Sequence, residues 1–258
     1  MKLTEALQIT NSDIVAFVGG GGKTTAMFRL AAEIVAGGGQ AIVTTTTRIF
    51  AAQIKLAPVH LLAAEATKEI IQAQLEAHQQ LLVIGEVENS SGKATGVSVE
   101  FVAQLRRDFP TVPIIMEADG SRMRPFKAPA AHEPVIPPET THVIIVVGAD
   151  ALGQPLTDEH VHRAELVSQL TGAPLGTPLT PAIIARTLTH PSGGLKSVPA
   201  QAIVSVLINK IEKVAAQPAP VLELAALLAQ HARLTQVLLA NAQNALPVQK
   251  IVSIEETL

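Results

Sequence analysis

The 258-residue sequence contains no cysteine, tryptophan or tyrosine, and only six phenylalanines. The absence of cysteine excludes disulfides, thiolate metal sites and cysteine nucleophiles. The scarcity of aromatic rings leaves few platforms on which nucleic-acid bases could stack. With 19 basic and 22 acidic residues, the chain also lacks the cationic footprint of a nucleic-acid-binding protein. We therefore expect no nucleic-acid partner.

Long apolar runs are missing as well. No run approaches the ~18 residues that a membrane-spanning helix needs, so we expect no membrane association. The first ten residues carry one lysine, Lys2, and no apolar core of a secretion signal. These features predict a cytoplasmic protein.

Apolar residues make up 48% of the chain, which is enough for a large core. Runs rich in Val and Ile predict strands at 14–18, 41–45, 59–62, 81–84, 112–116, 142–147, 203–208, 237–240 and 251–253. Helical periodicity falls at 25–36, 64–78, 99–109, 157–170, 181–188 and 221–232. This alternation predicts a three-layer α/β fold with a mostly parallel sheet, built as one domain over 1–258 with surface excursions around 120–140 and 172–200.

The most informative motif follows the first predicted strand. Four glycines, a lysine and two threonines stand in succession: Gly19, Gly20, Gly21, Gly22, Lys23, Thr24 and Thr25. Glycines let backbone N–H groups converge on phosphate oxygens, the lysine reaches the outer phosphates, and the first threonine offers its hydroxyl to Mg²⁺. A strict phosphate-loop pattern has one more glycine, where this chain has Phe17. A glycine-rich turn without a ligand is the alternative, but the flanking strand and helix favour a P-loop NTPase.

A second motif ends the strand predicted at 112–116. The residues that follow are Glu117, Ala118, Asp119 and Gly120. Acids at the end of a buried strand suit an Mg²⁺ site beside a triphosphate, or the positioning of an attacking water. A plain Asp-Gly turn is the alternative. With Lys23 and Thr24, we assign Glu117 and Asp119 to catalysis and to metal binding.

A third motif, Asn209-Lys210-Ile211-Glu212, follows the strand at 203–208. Asn-Lys-x-Asp at such a point is the guanine-reading motif of GTPases, and here the acid is the longer Glu212. The alternative is an ordinary helix cap by Asn209. Asn209, Lys210 and Glu212 are thus candidate base contacts, and the ligand is GTP or ATP. Asn241, after the strand at 237–240, is a weaker candidate of the same kind.

Cationic residues gather near the second motif. Arg122, Arg124 and Lys127, together with Arg48 after the second strand, form a candidate second anion site. A solvated loop is the alternative. A further group of polar residues has side chains that could bind a metal: His132, Glu133, Asp158, His160 and His162. Their spacing favours surface or loop-anchoring roles instead.

Taken together, these blocks resemble the selenium-dependent hydroxylase accessory proteins, a YqeC-like family. The resemblance rests on residues 19–25, 44–48, 117–122, 125–129 and 132–134, and is extended by 148–150, 162–163 and 209–210. It covers most of the chain and implies a role in the maturation of molybdenum hydroxylases, with a hydroxylase or its cofactor as partner. More distantly, Glu117-x-x-Gly120 with Asn209-Lys210 is similar to GTPases that insert nickel or cobalt, although their usual Cys/His delivery motif and final aspartate are absent.

The expected activity is Mg²⁺-dependent binding and slow hydrolysis of a purine nucleotide. Hydrolysis is expected to switch the conformation of the 117–134 segment. A small-molecule kinase or ligase of cofactor biosynthesis, with the cations at 122–127 holding an acceptor, is the alternative from another class. A nucleotide-gated binding module without turnover is the third.

Overall fold

The computed structural model describes residues 1–88 and 92–253. Its strands are β1 Ile14–Gly19, β2 Ala41–Thr45, β3 Ile49–Phe50, β4 His60–Leu62, β5 Gln80–Ile84, β6 Val87–Glu88, β7 Lys93–Ala94, β8 Ile114–Glu117, β9 Phe126–Lys127, β10 His142–Gly148, β11 Val161–His162, β12 Ile203–Asn209, β13 Gln236–Ala240 and β14 Val248–Ser253. Its α-helices are α1 Leu3–Ala6, α2 Lys23–Ala36, α3 Lys68–His78, α4 Val99–Asp108, α5 Ala164–Thr171, α6 Pro181–Thr189 and α7 Ala219–Ala229. Short 3-10 helices cover Ala51–Leu56, Ala149–Ala151 and Ile211–Val214.

Nine strands form the central sheet, in the order β14-β13-β12-β10-β1-β8-β2-β5-β4. Every neighbouring pair is parallel except β13 and β14, which run antiparallel and shift register between Leu239 and Ala240. These are the nine strands that the Val- and Ile-rich runs predict. Strand β1 lies at the centre, between β10 and β8, so the loop that follows it opens in the middle of one sheet edge.

Both faces of the sheet are covered. Ile14, Ala16 and Val18 of β1 pack in one apolar cluster, while Val15 and Phe17 pack in the other. The first cluster takes in residues of α3 to α7, and the second takes in α1 and α2. Because successive side chains of a strand point to opposite faces, a continuous apolar run is what a strand buried on both faces requires. The predicted three-layer, mostly parallel α/β fold is confirmed.

The structure differs from the sequence-based expectation in two segments. The helix expected at 157–170 begins only at Ala164, because Arg163 has a left-handed backbone (φ 67°) and β11 pairs with β9 just before it. The segment 125–138, expected as a surface excursion, buries Phe126, Lys127 and Ala128. Within the described ranges, no helix is long and apolar enough to cross a membrane.

Candidate functional site

The glycine loop lies pressed against the end of β10. Gly21 has φ 74°, and a Cβ there would come 2.0 Å from the backbone nitrogen of Gly148. A Cβ on Gly19 (φ 97°) would lie 2.3 Å from the Val146 carbonyl oxygen. Only glycine tolerates both the positive φ and this approach. The run of glycines is therefore required by packing, whatever the loop binds.

The open part of the loop is its second half. The Gly20 N–H donates to Val146 O at 2.8 Å, and the Gly21 N–H donates to Arg124 O at 3.0 Å. Helix α2 then begins at Lys23, and the first N–H groups of a helix have no intrahelical acceptor. Together with the positive end of the helix dipole, these groups suit an anion. An anion cradle is thus offered by Gly22 to Thr25.

Lys23 lies between the two predicted acids. Its Nζ is 3.4 Å from Glu117 Oε1 and 3.3 Å from Asp119 Oδ1, and it donates to Gly19 O at 2.6 Å. Burial by itself lowers the pKa of Lys23, but the charges of Glu117 and Asp119 outweigh burial and raise it above the usual value. The lysine therefore stays cationic at any physiological pH, as contact with phosphate oxygens requires.

The two acids differ in position. Glu117 lines the cleft in front of the loop, and the Thr24 hydroxyl donates to Glu117 Oε2 at 2.6 Å. Asp119 is 2% exposed and lies behind it, accepting the Gly19 N–H with both oxygens at 3.1 Å. Its Oδ2 is also 2.9 Å from Lys127 Nζ. Thr24 and Glu117 are therefore the pair open to a cation, while Asp119 ties the glycine loop to the strand beside it.

A chain of buried ion pairs continues from Asp119. Lys127 Nζ lies 2.7 Å from Glu133 Oε2, and Arg163 Nη1 lies 2.7 Å from the same oxygen. Although burial opposes the charge of Glu133, the hydrogen bond from Arg163 and the charge of Lys127 lower its pKa to about 2. Lys127, predicted as part of an anion site, is thus neutralised by two carboxylates and does not line the cleft. Its backbone pairing with β11 explains the burial.

The residues of the predicted base-reading motif, 209–212, also differ in position and contacts. Asn209 is 3% exposed, and its amide links two other segments: Nδ2 donates to Gly21 O, and Oδ1 accepts the Ala242 N–H, both at 2.9 Å. Lys210 lines the cleft and pairs with Asp150 Oδ2 at 2.9 Å. Glu212 lies exposed on the 3-10 helix that follows. Asn209 therefore has a structural role, and Lys210 is the member of the motif nearest a ligand.

Of the other residues singled out in the sequence, Arg48, His132, Glu133 and His162 line the same cleft, whereas Asp158 and His160 do not. Arg48 is exposed and pairs with Glu88 at 2.9 Å. Thr44 and Thr45 donate to Val83 O and Glu117 O, so these two hydroxyls hold strands together. Asp158 accepts the Ala164 N–H and helps to start α5. Among the described residues, no three His, Cys, Asp or Glu side chains form a group that could hold a metal ion.

The cleft has a volume of about 630 Å³, enough for a nucleotide and a further small group. It is lined by Gly22, Lys23, Thr24, Thr25, Thr46, Thr47, Arg48, Ile49, Gln53, Lys93, Gly96, Glu117, Gly120, Ser121, Arg122, Met123, Arg124, His132, Glu133, Val135, His162, Arg163 and Lys210. The three motifs therefore meet at one edge of the sheet, where open α/β folds bind ligands.

A family model described as "YqeC protein" matches residues 15–165. The chain belongs to the YqeC protein family. The matched region contains all of β1 but its first residue, the glycine loop, both acids and Arg163, whereas residues 209–212 lie outside it. The YqeC family model thus covers the cleft apart from Lys210.

Two comparisons with individual proteins add detail. The "Uncharacterized protein YqeC" of Escherichia coli (strain K12) is 36% identical over 110 residues, which span 43% of this chain and 43% of that protein. A crystal structure of FtsY from Mycoplasma mycoides aligns with 93% of this chain and 63% of its own, at 8% identity and a TM-score of 0.37. The FtsY likeness is loose, and the fold description rests on the strand order and the loop.

Sequence reasoning missed the roles of three residues in or beside the cleft. Arg163 was noted only within a family block, Glu133 only as a metal candidate, and Asp150 only beside Gly148. Their described neighbours in space lie 30 to 60 residues away along the chain, apart from the Lys127–Glu133 pair. The one local signal is the six-residue spacing of Lys127 and Glu133, because the burial of Glu133 is visible only in the fold.

Proposed function

We propose that this YqeC family member binds a purine nucleoside triphosphate, GTP or ATP, with Mg²⁺ and hydrolyses it slowly. The observation that carries the proposal is the meeting of Lys23 and Thr24 with Glu117 in front of the open helix start. An N-terminal helix end with a buried cationic lysine suits a polyphosphate, and a hydroxyl beside a carboxylate suits a hard divalent cation.

The residues divide the work as follows. The N–H groups of Gly22 to Thr25 and the Lys23 ammonium would bind the outer phosphates. Thr24 and Glu117 would hold Mg²⁺, with Asp119, the third predicted ligand, fixing the loop from behind. Bound Mg²⁺ supplies neutralisation of phosphate charge. Glu117 lines the cleft whereas Asp119 does not, so Glu117 is the better candidate to orient an attacking water.

The donor set fits Mg²⁺. Thr24 Oγ1 and Glu117 Oε2 are oxygen donors 2.6 Å apart, and this part of the chain offers no thiolate that would favour a softer metal. Both residues line the cleft in front of the helix start. This supports a magnesium site that shares Thr24 and Glu117.

The accessory role in the maturation of a molybdenum hydroxylase is a separate part of the proposal. It is supported by the motifs that resemble the selenium-dependent hydroxylase accessory proteins. The expected partner is the hydroxylase or its cofactor. Deleting the gene from a host that makes such an enzyme should lower hydroxylase activity per molecule without lowering its abundance, and unchanged specific activity would contradict this role.

A small-molecule kinase or ligase is the second candidate, and one observation favours it. The cleft carries more cationic side chains than a single nucleotide uses, notably Arg122, Arg124 and Arg163. Product analysis separates the candidates: phosphate released without an acceptor supports hydrolysis, and a phosphorylated acceptor supports the kinase. Binding without either product supports the nucleotide-gated module.

Calorimetric titration with GTP and ATP, with and without Mg²⁺, tests the binding itself. We expect micromolar or tighter affinity that weakens at least tenfold without Mg²⁺. Thr24→Val keeps the shape of the side chain and should reproduce that loss in the presence of Mg²⁺. Thr235→Val, at an exposed threonine outside the cleft, is the matched control. Equal affinity with and without the metal would refute the proposed magnesium site.

A further inference from the structure

One wall of the cleft is built from basic residues that the nucleotide proposal leaves unused. Arg122, Arg124, His162 and Arg163 line it, and we call these four residues the arginine wall. Within the described chain, the side chains of Arg122 and Arg124 make no hydrogen bond or ion pair. Free guanidinium groups that line a cleft are available for an anion.

Arg163 is held in place by buried groups. Its Nη1 donates to Glu133 Oε2 at 2.7 Å and to Ala128 O at 3.3 Å. Lys127, whose side chain is 1% exposed, contacts the same oxygen and also Asp119 Oδ2. Among the described residues, this buried network holds three cations, Lys23, Lys127 and Arg163, and three carboxylates, Glu117, Asp119 and Glu133. Glu133 therefore orients Arg163, and the unbalanced positive charge of the wall comes from Arg122 and Arg124.

Arg122 stands on a strained turn. The Arg124 N–H donates to Ser121 O at 2.9 Å, and the two residues between them have left-handed backbones: Arg122 at φ 49° and Met123 at φ 63°. Two adjacent non-glycine residues in this region are costly, and such strain persists where the surroundings demand it. The turn projects Arg122 and the 82% exposed Met123 at the rim of the cleft.

His162 completes the wall as a neutral group. Burial, with the charges of Arg163, Lys127 and Arg122, lowers its pKa to about 4. At pH 7 the ring is therefore uncharged and can donate one hydrogen bond to an anion. No described residue forms a side-chain hydrogen bond with it.

We propose that the arginine wall binds the phosphate group of a second small-molecule ligand, next to the phosphates held by the glycine loop. Arg122 and Arg124 are unpaired within the described chain and Arg163 is oriented by Glu133, so the three guanidinium groups suit a phosphomonoester or diphosphate better than a single carboxylate. The proposal deepens the proposed function, on which it rests only for the neighbouring nucleotide. It replaces Arg48 and Lys127 of the sequence-based anion site with His162 and Arg163.

Inorganic pyrophosphate is the probe, titrated calorimetrically at fixed ionic strength without Mg²⁺. Wild type should bind two molecules, one at the glycine loop and one at the arginine wall. Arg122→Gln, at an exposed side chain for which the described residues provide no partner, should weaken one site at least tenfold and leave the other unchanged. Arg163→Gln should do the same, and Arg163→Lys should restore part of the affinity. Arg107→Gln, on the exposed surface of α4, is the matched control.

The variants separate the two proposals. Lys23→Ala should remove the glycine-loop site and leave the wall site, and thermal unfolding checks that the variant is folded. If wild type binds one pyrophosphate, and that binding is lost in Lys23→Ala but unchanged in Arg122→Gln, the arginine-wall proposal is overturned and the nucleotide proposal stands. If the single site is instead weakened by Arg122→Gln and unchanged in Lys23→Ala, the result supports the wall and contradicts the glycine loop.

Two further outcomes count against the wall. One pyrophosphate that is weakened by both Lys23→Ala and Arg122→Gln would mean a single shared site and no second ligand. Malonate, a dicarboxylate dianion, should bind at least tenfold more weakly than phosphate in a parallel titration. Equal binding of malonate and phosphate would overturn the assignment to a phosphate group.

Discussion

The two sides of the cleft are built on different principles. The glycine-loop side comes from seven consecutive residues, 19–25, and presents mainly backbone N–H groups. The arginine-wall side comes from residues about 40 positions apart, and side chains provide its charge. One is shaped by the absence of Cβ atoms, as at Gly21, and the other by a buried ion pair between Glu133 and Lys127. Backbone sites are therefore sensitive to small steric changes, and side-chain sites to the loss of one charge.

The largest expected effect comes from Lys23→Ala. Triphosphate affinity should fall at least 100-fold, because the cation that faces the phosphates is gone. The change also leaves Glu117 and Asp119 buried without it, which costs about 3–5 kcal/mol when one partner of a buried pair is removed. Calorimetry and urea unfolding measure the two effects. Lys68→Ala, at an exposed position of α3, should change neither, and full affinity in Lys23→Ala would show that the loop does not hold phosphate.

Glu133→Gln tests the other side. It removes the acceptor shared by Lys127 and Arg163, so we expect a loss of about 2–3 kcal/mol of unfolding free energy at pH 7, with weaker pyrophosphate binding at the wall. Nucleotide affinity should change less than threefold. Glu139→Gln, at an exposed acid, is the control. An equal loss of nucleotide affinity would mean that the two sides act as one site.

The same variant predicts a pH dependence. Folding lowers the pKa of Glu133 to about 2 from its ordinary value of 4.5, so its stabilising effect is present above pH 4.5 and is lost as the pH falls towards 2. The difference in unfolding free energy between wild type and Glu133→Gln should therefore shrink between pH 5 and pH 3. Urea titrations across this range measure it, and a constant difference would contradict the ionised pair.

A smaller effect is expected on the preference for GTP over ATP. If Glu212 reads guanine, Glu212→Gln should bring the ratio of GTP to ATP affinity about tenfold closer to one. Glu223→Gln, on α7, should leave that ratio unchanged. Competition titrations measure both. ATP binding as tight as GTP binding in wild type would show that the Asn-Lys-x-Glu interpretation is wrong.

The smallest effect should come from Arg48→Gln. Its ion pair with Glu88 is exposed, with side-chain exposures of 62% and 29%, and such pairs contribute about 0–1 kcal/mol. Pyrophosphate affinity at the wall should change less than twofold, in contrast to Arg163→Gln. A tenfold loss would place Arg48 in the second anion site, as the sequence suggests.

The sequence predicts the fold well because its signals are local. All nine strands of the central sheet follow from short apolar runs, and the loop at 19–25 follows from glycines that the contact with Gly148 requires. The antiparallel direction of β14 was not predictable, because the apolar pattern of a single strand does not indicate which strand it pairs with or in which direction. Arg163 and the start of α5 were missed for a related reason: they depend on the pairing of β9 with β11, two short strands 35 residues apart.

Asn209 shows how one side chain can limit what later changes are possible. Its amide joins the glycine loop, the end of β12 and the segment at Ala242. A variant at this position would loosen three segments at once, so altered nucleotide preference in that variant would say nothing about base recognition. For the same reason, an evolving chain could change its preferred base through Lys210 or Glu212 far more easily than through Asn209. Asn209 is the residue of the motif that most suggests guanine recognition in the sequence, and it is also the one that tolerates substitution least.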